Sequence, residues 1–340
     1  MTFRGPVTLA DIAARTGLSV ATVSRALAGR GDLSKRTRER VADAADALGY
    51  SRSATASGRP TSLDPRLIEF VVGDFHDEWE DGMTAHVRDA AFEHGYDLVL
   101  TRERAEPKDD WPARVVTRRP SGVILGIIHP TSRQLRDLRA LRTPLVLLDP
   151  RADSEHELVS VGTTDFQGGY DAGAHLADCG YEDFVFVGSV PQYRFGRARR
   201  EGFIAAINDF RPGAGITFAT SEWTHAQLTA SLIQVLKQNT GRVGVFAAND
   251  EMALAVYRAA TVLKRSIPND IGVIGFNDEP RAATASPPLT SVRPPMSDMA
   301  QKAVALIREF HASGTPRSDR IELPSELIVR GSTSGGVRRP

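Results

Sequence analysis

The sequence predicts an α/β chain in two unequal parts: a three-helix headpiece with helix-turn-helix spacing, followed by two doubly wound α/β lobes. Three observations predict it. Residues 8–29, TLADIAARTGLSVATVSRALAG, hold two short helical patterns joined by a turn at Gly17. Downstream, apolar runs of strand length alternate with helical segments. The alternation forms two series, one on each side of residue 160. Continuous apolar runs spaced in this way are buried parallel strands, which need crossover helices on their faces.

In the first helix Leu9, Ile12, Ala13 and Thr16 share a face, and Gly17 permits the backbone turn that follows. Ser19 is placed to cap the second helix, where Val23, Ala26 and Leu27 point inward and Ala21, Thr22 and Arg25 point outward. In LSKRTRERVADAADALGY, Ser34 caps a third helix, Val41, Ala44, Ala45 and Leu48 form its apolar face, and Gly49 stops it. Small outward residues let the second helix enter a DNA major groove. There Arg25 can reach guanine edges or phosphate, and Thr22 and Ser24 can hold phosphate oxygens. A plain three-helix bundle would share the spacing.

Charge supports the DNA-binding reading. The chain is neutral overall, but its first 60 residues carry ten Lys/Arg against five Asp/Glu. A segregated basic module suits a polyanion, because each neutralised phosphate releases condensed counterions.

In the larger part the strand-like runs are LIEFVVG, DLVLT, GVILGII and PLVLLD, then DFVFVG, VGVFAA and IGVIGF. Ligands of doubly wound lobes settle at the carboxyl ends of the strands, here expected between the lobes. No P-loop is present and no G-x-G-x-x-G follows a strand, which disfavours a nucleotide enzyme and gives no reason to expect a cofactor. The eight histidines show no metal-ligand spacing, and no serine sits in a nucleophile elbow, so neither a metal site nor a catalytic set is expected. The single cysteine, Cys179, excludes an internal disulfide. No run approaches the eighteen apolar residues of a membrane span, and the N-terminus lacks a signal-peptide core, so a cytoplasmic protein without a membrane partner is expected.

The segment VTLADIAARTGLSVATVSRALAG followed by TRERVADAADALGY resembles the DNA-binding headpiece of the lactose-repressor (LacI/GalR) family of bacterial transcription regulators. Further on, GRARREGF, VFAANDEMALAVYRA, IPNDIGVIGFND and SPPLTSVRPP are similar to successive landmarks of that family's core, in the same order. The resemblance implies a homodimeric repressor with a periplasmic-binding-protein-like core. Its partners would be double-stranded, pseudo-palindromic operator DNA and a small effector, a mono- or oligosaccharide. The implied domains are a headpiece at 1–50, a hinge or linker at 51–65 and a core at 66–335. Within the core the first lobe takes 66–162 and 293–325, and the second takes 163–292.

The residues matching the family's base readers are Val20, Ala21 and Arg25, and the DNA-facing set is completed by Thr8, Ser19, Thr22, Ser24, Arg52 and Arg59. Arg199 of GRARREGF matches the family's ligand-clamping arginine, whose fork can bridge two hydroxyls or a carboxylate. Asn249 and Asn277, each following a strand, are the expected polar contacts, with Asp250 capping the helix from Glu251. Asp149, ending PLVLLD, is a third candidate. Trp79, in the acidic stretch GDFHDEWEDGM with no evident core to fill, is expected to stack on a sugar face. After ALGY the segment SRSATASGRP is shorter than the family's hinge helix and lacks its leucine wedge. A transporter's solute-binding protein would share the core, but it would have a signal peptide and no use for the basic headpiece.

Overall fold

A computed structural model describes residues 9–27, 33–48, 66–73, 78–103, 111–128, 130–140, 143–152, 158–189, 193–221, 225–314 and 320–333. The chain divides into two compact units, residues 1–63 and 64–340.

The first unit contains α1 (Leu9–Thr16), α2 (Val20–Leu27) and α3 (Lys35–Leu48). Ile12, Ala13, Val23, Val41, Ala44 and Ala45 form its core, the inward faces expected from the helical spacing. Gly17 has φ +63°, a left-handed conformation that a side chain would resist. Two serine caps set the starts of the following helices. Ser19 Oγ accepts from the Thr22 N–H at 3.1 Å, and Ser34 Oγ accepts from the Thr37 N–H at 3.2 Å.

The second unit contains two six-stranded sheets. The first has the order β11-β5-β4-β3-β1-β2 and pairs β1 (Leu67–Val72), β2 (Asp97–Arg102), β3 (Gly122–Gly126), β4 (Leu145–Leu148), β5 (Val159–Thr163) and β11 (Arg320–Leu323) in parallel. Helices α4 (Glu78–Glu93), α5 (Trp111–Arg118), α6 (Ser132–Arg139) and α12 (Met296–Ser313) accompany this lobe, and α12 packs on α4. The second sheet has the order β12-β10-β9-β8-β6-β7. Its strands are β6 (Asp183–Ser189), β7 (Ile216–Ser221), β8 (Val243–Ala247), β9 (Ile271–Phe276), β10 (Thr290–Arg293) and β12 (Glu326–Ile328), and only the β10–β12 pairing is antiparallel. Its helices are α7 (Asp165–Asp178), α8 (Arg194–Phe210), α9 (His225–Gln238), α10 (Asp250–Leu263) and the short α11 (Pro280–Thr284).

The chain crosses between lobes three times: from β5 to α7, from β10 to α12 and from β11 to β12. Two crossings are tied together. The Thr164 N–H and the Thr163 hydroxyl both donate to Leu323 O at 3.0 Å, and the Ser325 N–H donates to Thr164 Oγ1 at 2.9 Å. In both sheets the strand order reverses beside the first strand of the lobe, β1 or β6, so the carboxyl ends of that strand and its neighbours border the ligand crevice of such a fold.

Candidate functional site

A buried polar cluster lies beside the crossings. Its origin is the contact between α7 and α8. A Cβ at Gly169 would lie 2.0 Å from Arg199 O, and one at Gly202 would lie 1.9 Å from Phe166 O, so only glycine admits this backbone approach. The approach brings α8 side chains onto the N-terminus of α7. Arg199 Nε donates to Asp165 Oδ1 at 2.9 Å, and Arg194 Nη2 donates to Asp165 Oδ2 at 3.2 Å. All three residues are buried. A buried carboxylate that holds two guanidinium groups satisfies the rule that interior charges be paired.

Arg199 is positioned on every side. Its Nη1 donates to Ala248 O at 2.7 Å, and its guanidinium carbon lies 3.4 Å from the Phe276 ring centroid and 5.2 Å from that of Phe195. Ala248 follows β8 and Phe276 ends β9, so the arginine reaches the residues just before Asn249 and Asn277. Three of the expected effector contacts are thereby brought together in the second lobe.

Asp149 adds the first lobe. It follows β4 with φ +46°, is 2% exposed, and its Oδ1 has no hydrogen-bond partner. Burial and then the neighbouring Asp165 charge push its carboxyl up to about 7, while Arg199, Arg194 and Arg320 act in the opposite sense. The lobes also touch through the main chain: Arg194 N–H donates to Arg151 O at 2.9 Å, and the Arg151 guanidinium lies 5.0 Å from the Tyr193 ring centroid.

The second-lobe caps differ from expectation. Helix α10 begins at Asp250, one residue early, and its cap is Asn249, whose Oδ1 accepts from the Met252 N–H at 2.8 Å. Asp250 instead lies inside, accepting from the Glu279 N–H at 2.7 Å and the Ser291 hydroxyl at 2.5 Å. Burial pushes it up to about 7 against the pull of those bonds. Asn249 therefore spends its side-chain carbonyl on the helix. Asn277 has φ +108° and donates from Nδ2 to Glu279 Oε1 at 3.2 Å.

The premise for Trp79 is corrected. It is 4% exposed and belongs to the first-lobe core with Ile68, Met83, Val87, Met299 and Ala303. The core it fills is completed by α12, more than two hundred residues later in the chain, which is why the local sequence gave no sign of it. A ring so enclosed offers almost no face for stacking.

On α2, Val20 is 47% exposed, and Ala21, Ser24 and Arg25 are exposed. Arg25 Nε donates to Ala21 O at 3.3 Å, along the helix surface. Thr22 is half-buried, and its hydroxyl shares a hydrogen bond of 2.8 Å with Ser19 Oγ at the exposed start of the helix. Thr8, Arg52, Arg59 and the rest of the SRSATASGRP segment lie outside the described residues.

Sequence reasoning missed Asp165 and Arg194. The available signal was the glycine spacing in DFQGGYDAG, which marks α7 as a close-packing helix.

A helix-turn-helix unit ahead of a two-lobed, doubly wound core with a polar cluster between its lobes is the build of a DNA-binding transcriptional regulator. Residues 8–53 match the family described as bacterial regulatory proteins, lacI family, and residues 174–333 match a periplasmic binding protein-like domain. The chain is 30% identical over 337 residues to the HTH-type transcriptional regulator MalR of Streptomyces coelicolor, covering 96% of each protein. It belongs to the LacI family of bacterial transcriptional regulators. A solved complex of the transcriptional regulator CelR with cellobiose superimposes with a TM-score of 0.70 at 25% identity, covering 96% of this chain and 99% of that one. The lac repressor dimer bound to operator and the anti-inducer ONPF shares the fold, with a TM-score of 0.72 at 23% identity over 97% of this chain and 99% of that one. Among the described residues no helix is long and apolar enough to cross a membrane.

Proposed function

We propose that this chain is a homodimeric repressor whose hold on operator DNA is set by a sugar bound between the core lobes. One observation carries the reading. Arg199 is fixed by Asp165, Ala248 O and Phe276 at the strand ends of the second lobe, and the Asp149 carboxyl of the first lobe, whose Oδ1 has no hydrogen-bond partner, lies close enough to feel its charge. A ligand that satisfies both stabilises one arrangement of the lobes over another. Because Asp165 sits where β5 crosses to α7, that preference acts on a crossing, the place where a small rotation moves one whole lobe. The relatives support the sugar assignment, since the CelR structure holds cellobiose.

On α2, Val20, Ala21 and Arg25 read bases, and Ser24 holds phosphate. Thr8, Arg52 and Arg59 complete the phosphate contacts. Within the core, Arg199, Asp149, Asn249 and Asn277 bind the effector. Family membership supports regulation rather than catalysis as the role of this site, and is consistent with the cytoplasm, where operator DNA lies, as its place.

Couplings between two such sites run about 1–3 kcal/mol and are reciprocal. A thermal-shift screen of mono- and oligosaccharides tests the reading, since a ligand at a hundred times its Kd adds about 2.7 kcal/mol to stability. Flat melting curves across the panel would contradict it.

A further inference from the structure

We propose that the cleft takes an anionic sugar, one bearing a carboxylate or a phosphate, and that Arg194 and Arg320 select it. This rests on the reading of the cleft as a sugar site and narrows it to a chemical class.

Arg194 is 6% exposed, yet its Nε–H has no hydrogen-bond partner. Its other nitrogens face carboxylates: Nη2 donates to Asp165 Oδ2 at 3.2 Å, and Nη1 lies 3.9 Å from Glu322 Oε1. Burial lowers the Arg194 pKa from its ordinary value, which Asp165 opposes. A donor buried and unpaired in this way is costly, and a ligand acceptor would relieve it.

The surroundings point to a charged acceptor. A methyl group at Gly162 would lie 3.0 Å from Asp149 Oδ1, 3.7 Å from Arg194 Nη2 and 3.9 Å from Arg320 Nη2, so these three groups converge on one spot. The carboxylates nearby are already committed. Asp165 uses one oxygen on Arg199 and the other on Arg194, and Glu322 Oε1 accepts from Arg320 Nε at 2.7 Å. Asp149 does not hold its charge firmly, since burial raises its pKa to about 7, and in its protonated form it is a further donor. Three guanidinium groups thus face two committed carboxylates and one carboxyl that readily takes a proton. Arg151, whose carbonyl accepts from the Arg194 N–H, adds another buried Nε–H without a partner. A carboxylate or phosphate matches guanidinium forks in geometry and makes bonds roughly twice as strong as a neutral hydroxyl does.

The test measures binding to the full chain by calorimetry, with glucuronate, galacturonate and glucose 6-phosphate set against glucose and galactose. At least one anionic sugar is expected to bind ten or more times tighter than its neutral match. A carboxylate-only or phosphate-only response supports the proposal and identifies the group. Neutral sugars binding as well as or better than the anionic ones overturn it and leave the sugar-site reading standing, whereas no binding by either kind overturns both. Arg194→Leu strands one Asp165 oxygen and can fail to fold. Arg194→Lys keeps the charge without the fork, and Arg320→Gln alters a side chain that is 35% exposed. Each is expected to shrink the anionic preference below threefold, and an undiminished preference in both overturns the assignment to this cluster.

Discussion

Glu78, the first residue of α4 in the first lobe, is ion-paired with Arg281 of α11 in the second lobe. Arg281 also lies 3.9 Å from Glu279 Oε2, so one guanidinium joins the start of a first-lobe helix to the cap of a second-lobe helix. The pair can exist only while the lobes hold this arrangement. The Arg281 side chain is about half exposed, so its contribution is that of a partly screened pair, roughly 0.2–1 kcal/mol.

Arg281→Ala is therefore expected to change effector affinity by no more than about fivefold, with the direction set by whether the effector prefers this arrangement. Calorimetry on Arg281→Ala, Glu78→Ala and the double variant measures the coupling. Fully additive effects would mean that the pair contributes nothing to lobe position.

Gly202→Ala is expected to destabilise the core by about 1–3 kcal/mol, because its Cβ would fall 1.9 Å from Phe166 O and push α8 off α7. The same displacement pulls Arg199 and Arg194 away from Asp165, so effector binding should weaken beyond what lost stability explains. Urea unfolding with parallel calorimetry separates the two effects. Wild-type behaviour in both would show that the close helix contact does not position the site.

The candidate site was only partly legible in the sequence, and these glycines show why. Arg199, Asn249 and Asn277 could be named because each has a fixed relation to a visible apolar strand or a motif. Asp165 and Arg194 act through the α7–α8 approach, a tertiary property that local spacing does not display. The fold shows the same division. IGVIGF and VGVFAA announce themselves as buried strands, while RIEL (β11) and ELI (β12) are short and partly exposed, and so the third crossing went unread. Trp79 was misplaced for a related reason: its partners on α12 are remote in sequence.

Stability should fall as pH rises from about 4 to about 8. Asp149 and Asp250 both have native pKa values raised to about 7, from about 3.9 for an unperturbed Asp. The stability that each protonated group carries is fully present below the unfolded value and is lost as pH climbs through the native one. The slope between these limits is at most about 1.4 kcal/mol per pH unit for each group. Asp149→Asn, neutral at every pH, is expected to flatten the profile, as followed by urea unfolding at pH 5, 6, 7 and 8. An unchanged slope in the variant would place the titration elsewhere.

Arg25→Ala is expected to cost about 1–3 kcal/mol of operator binding per half-site, since Arg25 is exposed on α2 beside Val20 and Ala21. The loss should fall mainly on specific sites, leaving weak binding to unrelated DNA nearly intact. Fluorescence anisotropy with operator and scrambled duplexes distinguishes the two. Equal losses on both would make Arg25 a phosphate contact.

The central claim, that a sugar bound by the core controls the headpiece's hold on DNA, is tested most directly by titrating operator into the protein with and without the saturating sugar found in the screen. The account predicts a shift in operator affinity of about 5- to 150-fold, and the same factor in sugar affinity when operator is present. Identical operator affinity with and without bound sugar would contradict it.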